Sequence, residues 1–270
     1  MKKIDVFTPT RMHDGLKIVG KCLERQTFKD FRWVIVDEDY DLKWANENLS
    51  KSLDILYLPV KTKDPKRKYG IMNARNTPVP FFNSELIVEI QDYHWFTKDT
   101  LSQFWDIYKR NPLALVSGYY AIVNFHNYDK AMELEELRDE DVEVIDKTLR
   151  VKYLNEGEFV AYVPEYLGYE MNISSIALSV LQAIYPLDES LDDGYQSDPH
   201  LIALSAMALG CSVIVANCIR GYSFEHKLLE PRPEGWQEDG KKNQKTLKAM
   251  FGKEYLTEDD IKPGIGKASN

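Results

Sequence analysis

The chain has 270 residues, 44% hydrophobic and 29% charged, with 34 Lys+Arg against 43 Asp+Glu and a formal charge of −9. This is the composition of an ordinary soluble globular protein, long enough to bury a sizeable core without disulfide or metal staples. Its acidic balance disfavours nucleic acid as the default partner, because nonspecific polyanion binders carry a basic excess.

No stretch approaches the ~20 apolar residues that span a bilayer. The three cysteines, Cys22, Cys211 and Cys218, lack C-x-x-C spacing. At the start, Asp5 follows Lys2 and Lys3 before any signal-like apolar region can form. A cytoplasmic, reducing location is expected.

Ile4 to Thr8 predicts a buried strand broken by Pro9, and Leu16, Val19 and Leu23 then recur at helical spacing. Phe31 to Val36 predicts a second strand, running into the acidic residues Asp37, Glu38, Asp39 and Asp41. Leu42, Ala45 and Leu49 mark a short helix, and Ile55 to Leu58 a third strand. Leu86 to Ile90 predicts a fourth strand, followed by a helix whose buried face carries Leu101, Phe104, Trp105 and Tyr108. Strands separated by such helices imply right-handed crossovers and a largely parallel sheet.

After Leu113 the pattern changes. Leu113 to Phe125 is β-rich, and Met132 to Lys147 reads as an acidic, solvated helix or loop. A helical segment is expected over Ser175–Ile184. Another carries Leu201, Leu204 and Ala208 on one face and closes at Gly210. Cys211 to Ala216 predicts a late strand, and Lys241–Phe251 a final short helix.

In an open parallel sheet, ligands bind beyond the carboxyl ends of the strands. Those ends deliver Thr8 to Arg11, then Asp37 to Asp39, then Gln91 to His94. Dinucleotide and P-loop chemistry are unsupported, since neither G-x-G-x-x-G after the first strand nor G-x-x-x-x-G-K-[ST] occurs. A G-x-S-x-G nucleophile elbow is also missing. Lys61, Lys63, Lys66, Arg67 and Lys68 form one local basic cluster.

The order of these segments resembles a family 2 glycosyltransferase. Ile4 to Arg11, Cys22 to Gln26 and Trp33 to Glu38 are similar to that family's opening. Gly70 to Asn76, with Ala74, Arg75 and Asn76, resembles its Ala-Arg-Asn segment. Ser84 to Leu101 sits where it carries an Asp-x-Asp strand end. Pro186 to Glu189, then Ser197 to Leu201 and Gly210, is similar to its acceptor half, and Asn243 to Gly252 to its closing helix. The motif is degenerate: anchored on Trp95, Gln91 and Tyr93 stand where aspartates are expected. A one-residue shift reads Asp92, Tyr93 and His94 as Asp-x-His, a variant seen in polypeptide N-acetylgalactosaminyl transferases.

The resemblance implies an α/β GT-A fold, with a Rossmann-like, mostly parallel central sheet flanked by helices and a less regular acceptor-binding half. It divides the chain into a nucleotide-sugar-binding half (1–125), an acceptor-binding half (126–224) and a C-terminal tail and helix (225–270). It implies inverting transfer of a sugar from a nucleotide diphosphate, most simply UDP, to an acceptor hydroxyl.

Pro9, Thr10 and Arg11 would line the nucleotide, Asp37 would accept from the base, and Asp39, Lys68, Arg75 and Asn76 would complete the donor site. Arg75 is a natural phosphate partner because its planar fork binds in bidentate fashion; a structural Asp37–Arg75 ion pair competes with that use. Asp92, His94 and His226 would hold Mn²⁺ or Mg²⁺, imidazole favouring Mn²⁺. Phosphate stabilisation by Arg75 or Lys68 alone stays open beside that reading. Asp198 is the candidate general base, with Asp193 and Asp192 as competitors and a helix N-cap as its structural alternative.

Tyr119 and Tyr120, just before the acceptor half, and Tyr166 to Tyr169 within it could stack on a sugar or a base, though no spacing pattern marks either pair. Two further readings remain. One is a glycosyltransferase acting on modified bases in DNA through the 61–68 cluster. The other is a nucleotide-sugar-binding protein whose catalytic site has decayed.

Overall fold

A computed structural model describes residues 2–62, 64–67, 69–124, 133–134, 136–137, 142–147, 160–163, 169–193, 198–224 and 236–252. Four parallel strands form its first half: β1 (Ile4–Thr10), β2 (Phe31–Asp37), β3 (Ile55–Pro59) and β4 (Leu86–Ile90). They are followed by β5 (His94–Phe96), β6 (Ala114–Asn124), β7 (Glu143–Lys147), β8 (Val160–Val163), β9 (Ile173–Ala177) and β10 (Ser212–Phe224). The sheet order is β3-β2-β1-β4-β9-β6-β10-β5, with β7 on β6 and β8 on β10. Six of these strands run in one direction; β9 is wedged antiparallel between β4 and β6, and β5 runs antiparallel to β10.

The central strands are apolar on both faces, as buried parallel strands must be. Alternation along each strand sends successive side chains to opposite layers. Val6, Trp33, Ile35 and Val88 pack with Leu16, Leu23, Leu101 and Phe104, from α1 (His13–Glu24) and a later helix, Thr100–Arg110. Phe7, Val34, Val36 and Ile87 pack in the other layer with Leu181, Leu201, Leu204 and Leu247. Between them the chain forms α2 (Leu42–Asn48) and α3 (Ile71–Asn76) before α4 (Thr100–Arg110). The helices α5 (Leu178–Ile184), α6 (Asp198–Ala208) and α7 (Trp236–Phe251) follow.

Several expectations shift. β1 continues through Pro9 to Thr10, in register with β2 throughout. On its other side β1 pairs with β4 only as far as Phe7, so Pro9 falls beside an open edge, where a missing N–H is tolerated. Ser175 to Ala177 are strand, not helix: β9 pairs over its whole length with β4, and that pairing outweighs local propensity. Glu143–Lys147, inside the acidic run, pairs with β6. β10 outruns its expected end at Ala216 because a register shift between Ala216 and Arg220 lets it resume pairing with β6. Leu42 is half exposed, leaving Ala45 as the buried residue of α2. The α4 stripe is core as expected, with Tyr108 its least buried member.

One close contact fixes the start of α1 against the turn after β4. A Cβ at Gly15 would lie 2.6 Å from the Tyr93 backbone nitrogen and 2.8 Å from Asp92 Cβ, and Tyr93 itself has φ 57°. Gly15→Ala should therefore cost about 1–3 kcal/mol through overpacking. Gly20→Ala, whose Cβ meets only Trp33 ring atoms at 3.3 Å and beyond, should cost less, since the helix interior favours alanine. Denaturant unfolding of the two variants checks this.

Candidate active site

Thr10 and Asp37 are paired at the ends of β1 and β2, and Asp37 faces Pro59 at the end of β3. The β1–β4 ladder stops at Phe7 and Glu89. Past that point the Thr10 hydroxyl donates to Asp92 Oδ2 at 2.7 Å and accepts from the Met12 N–H at 3.0 Å. Three strand ends are thus tied together at the carboxyl edge. Pro9 is half-buried and Arg11 exposed on the same rim.

Asp37 is wholly buried. Its Oδ1 accepts from the Asp39 N–H at 2.9 Å, and its Oδ2 from His13 Nε2 at 2.7 Å and from the Tyr57 hydroxyl. Burial, reinforced by that bond to Asp37, pushes the Tyr57 hydroxyl well above the usual phenol range. The Asp39 side chain lies in solvent. Asp37 does not pair with Arg75, because the alternation of β2 turns it to the α1 layer.

Arg75 lies in the other layer, at the end of α3, 6% exposed. Its guanidinium bonds Glu89 Oε1 at 2.9 Å and Asp198 Oδ2 at 2.7 Å. Burial pushes the Glu89 carboxyl up to about 7, although the Arg75 charge pulls it down. Tyr169 lies beside this network, its hydroxyl also raised by burial. Asp198 is the first residue of α6, its side chain 12% exposed.

The remaining expected residues fix the loop between these centres. Buried Asp192 accepts from the N–H groups of Met72 at 2.8 Å and Asn73 at 3.1 Å, capping α3. Desolvation pushes its carboxyl up against the pull of those bonds. Asp193 pairs with Arg67, and Glu189 with Lys61. Two cations of the basic cluster are thereby neutralised within the chain. Lys63 and Lys68 lie outside the described residues. The Asn76 amide is buried, donating to Leu187 O at 2.9 Å and Glu189 Oε1 at 2.8 Å and accepting from the Leu187 N–H at 2.9 Å. Its bonds place it as a clamp on the 187–189 turn.

His94 is buried in β5, with Nδ1 3.0 Å from the Asp92 carbonyl oxygen and its ring 5.7 Å from that of Tyr120. His226 lies outside the described residues, as does Tyr166. Among the described residues, no three His, Cys, Asp or Glu side chains gather as a metal site. Asp92 and His94 alone do not make a closed ligand set. Tyr119, Tyr120 and Tyr169 are buried in the core.

The sequence reading missed Glu89, His13 and Tyr57. Glu89 had a legible signal, a lone charge inside a strand otherwise made of Leu, Ile and Val. His13 and Tyr57 had none, because only the fold brings α1 and β3 to Asp37.

The sheet is mostly parallel, helix-flanked and carries polar strand ends along one edge, and it shares the GT-A architecture of the solved structures to which it is similar. No family model matches the sequence, and no curated protein does. Among solved structures the chain is similar to S. aureus TarS 1-349 in complex with UDP-GlcNAc. That likeness has a TM-score of 0.60 at 14% identity, over 96% of this chain and 69% of that one. It is also similar to GalNAc-T7 with UDP, GalNAc and Mn²⁺, at TM-score 0.64 and 11% identity, over 97% of this chain and 50% of that one. Against a longer S. aureus TarS chain it covers 41% of that protein's length, with TM-score 0.57 and 15% identity. The likeness is one of fold.

Removing Arg75 leaves two buried carboxylates without their shared cation. Arg75→Ala should cost about 3–5 kcal/mol at pH 7, measured by denaturant unfolding, and less at pH 4, where Glu89 is protonated. For Glu89 the folded value lies above the unfolded one, so its favourable contribution is complete below about pH 4.5. That contribution is lost as pH rises through about 7. Wild type should therefore lose stability relative to Glu89→Gln across that interval; parallel pH curves would refute the shifted titration.

Proposed function

We propose that the chain is a glycosyltransferase that moves a sugar from a UDP-linked donor to an acceptor hydroxyl with inversion. The observation that carries this reading is the joining of three strand ends by the Thr10–Asp92 and Asp37 contacts at the carboxyl edge of a GT-A sheet. Support also comes from the similar proteins, crystallised with UDP-GlcNAc and with UDP, GalNAc and Mn²⁺. The sequence resemblance to family 2, degenerate at Gln91 and Tyr93, belongs to the same proposal.

In this reading Pro9, Thr10 and exposed Arg11 flank the nucleotide, Arg11 facing the diphosphate, and Asp37 takes the base with Asp39 at the pocket mouth. Residues 1–125 hold the donor, 126–224 serve the acceptor, and 225–270 close the chain. The acceptor oxygen attacks the anomeric carbon opposite the leaving diphosphate, and Asp198 takes its proton. Arg75 orients Asp198 by holding Oδ2, and Glu89 neutralises the other side of the guanidinium. Asp193, paired with Arg67, is the alternative base. Lys68 would add a cation near the phosphates, and Asn76 serves the site by clamping its turn.

A divalent ion, Mn²⁺ or Mg²⁺, belongs to the proposal as charge stabilisation on the leaving diphosphate. Asp92, His94 and His226 would hold it. We also place the protein in the cytoplasm, a reading supported by three free thiols. Among the described residues, no helix is long and apolar enough to cross a membrane.

The test is a transfer assay over UDP- and GDP-sugars, with Mn²⁺ and with chelator. Donor turnover is expected with a UDP-sugar, and no binding or hydrolysis of any donor would overturn the reading. Asp198→Asn should lower kcat by about 10²–10⁴ and leave the donor KM in place, whereas an equal loss in Asp193→Asn alone would move the base to that residue.

A further inference from the structure

The polar contacts around Asp37 are unequal. Two of them come from well-anchored groups: the Asp39 backbone N–H lies in the same turn, and the Tyr57 hydroxyl is carried on β3, its ring stacked on Tyr40 at 4.9 Å. The third comes from the side chain of His13, the first residue of α1. The residue before it, Met12, gives α1 no side-chain cap, so His13 is held here by its own side-chain contacts.

The His13 ring is placed in a particular way. It stacks on the Trp44 indole with centroids 4.2 Å apart and planes 23° apart, while Nε2 meets Asp37 Oδ2 at 2.7 Å. Trp44 is itself anchored, because its backbone N–H donates to Asp41 at 2.9 Å as the N-cap bond of α2. A flat heteroaromatic ring, lying on an indole and presenting a ring N–H to a buried carboxylate, makes the contacts that a pyrimidine base makes through one face and its N3–H. The imidazole is a quarter exposed, so it lies at the surface and not in the core.

We propose that Trp44 and Asp37 form the base subsite and that His13 is its built-in occupant, competing with the pyrimidine for the indole face and for Oδ2. The inference rests on the reading of Asp37 as the base acceptor. Binding then requires His13 to leave Asp37, and apparent affinity is reduced by the fraction of molecules in which it is seated. Tyr57 and the Asp39 N–H keep the carboxylate oriented when His13 leaves, so the subsite does not collapse. The occupant also protects a buried charge from standing under-bonded beside an apolar ring.

Calorimetric titration with UDP tests this on the full chain. If His13 is seated about nine times in ten, His13→Ala should bind UDP about tenfold more tightly than wild type, and Trp44→Ala should bind it more weakly. Equal or weaker UDP binding by a folded His13→Ala would overturn the competition. The reading beneath it fails separately: Asp37→Asn binding UDP as wild type does removes the base from Asp37 altogether. Absence of UDP binding in both wild type and His13→Ala would also refute it. A second measurement needs no variant. In wild type, UDP should shift the His13 ring proton resonances away from their Trp44-shielded positions, and resonances that stay in place while UDP binds would overturn the proposal.

Discussion

The arrangement of the candidate site depends on one shared cation. Arg75 arrives from a six-residue helix and meets a carboxylate from the middle of the sheet and another from the start of α6. A buried guanidinium with two carboxylate partners is costly to desolvate, and its geometry is correspondingly strict. Each carboxylate alone would be an unpaired buried charge. Together the three groups lock α3, β4 and α6 to one another across the layer. The short α3 could not hold Arg75 there unaided, and the rest of its support is polar: Asp192 caps its first turn and Asn76 clamps the 187–189 turn at its end.

A consequence is that the site has two polar centres, not one row of equivalent strand-end residues. Thr10, Asp37 and Asp92 share an edge with the α1 layer, whereas Arg75, Glu89 and Asp198 lie towards α3 and α6. The sheet separates them only by the thickness of its own backbone, since Glu89 and Asp92 are three residues apart on the same strand and its following turn. The Gly15 contact presses the backbone of α1 onto the turn that carries Asp92 and Tyr93, which fixes that helix against the strand end.

The basic cluster shows how local composition can mislead. Read linearly, it is an anion-binding loop. In the fold, Lys61 and Arg67 answer the acidic turn at 189–193 and help hold it against α3. Charge density along the chain does not reveal how much of it is neutralised by segments more than a hundred residues away.

Much of the architecture was legible because it is written in short-range patterns. The apolar runs of β1, β2, β3 and β4, the helical stripe of Leu101, Phe104 and Trp105, and the helix ending at Gly210 all follow from periodicity and backbone preference. The strand ends followed in turn, and with them Thr10, Asp37 and Asp92 as candidates. What the amino-acid order could not supply was partnership. Ser175 to Ala177 became strand because β4 and β6 offered ladders on either side, Asp37 met His13 and Tyr57 in place of Arg75, and Glu89 joined Asp198. Periodicity assigns a side chain to a face, but a buried charge is settled by whichever opposite charge or N–H long-range packing brings within three ångströms, and only the folded chain determines that.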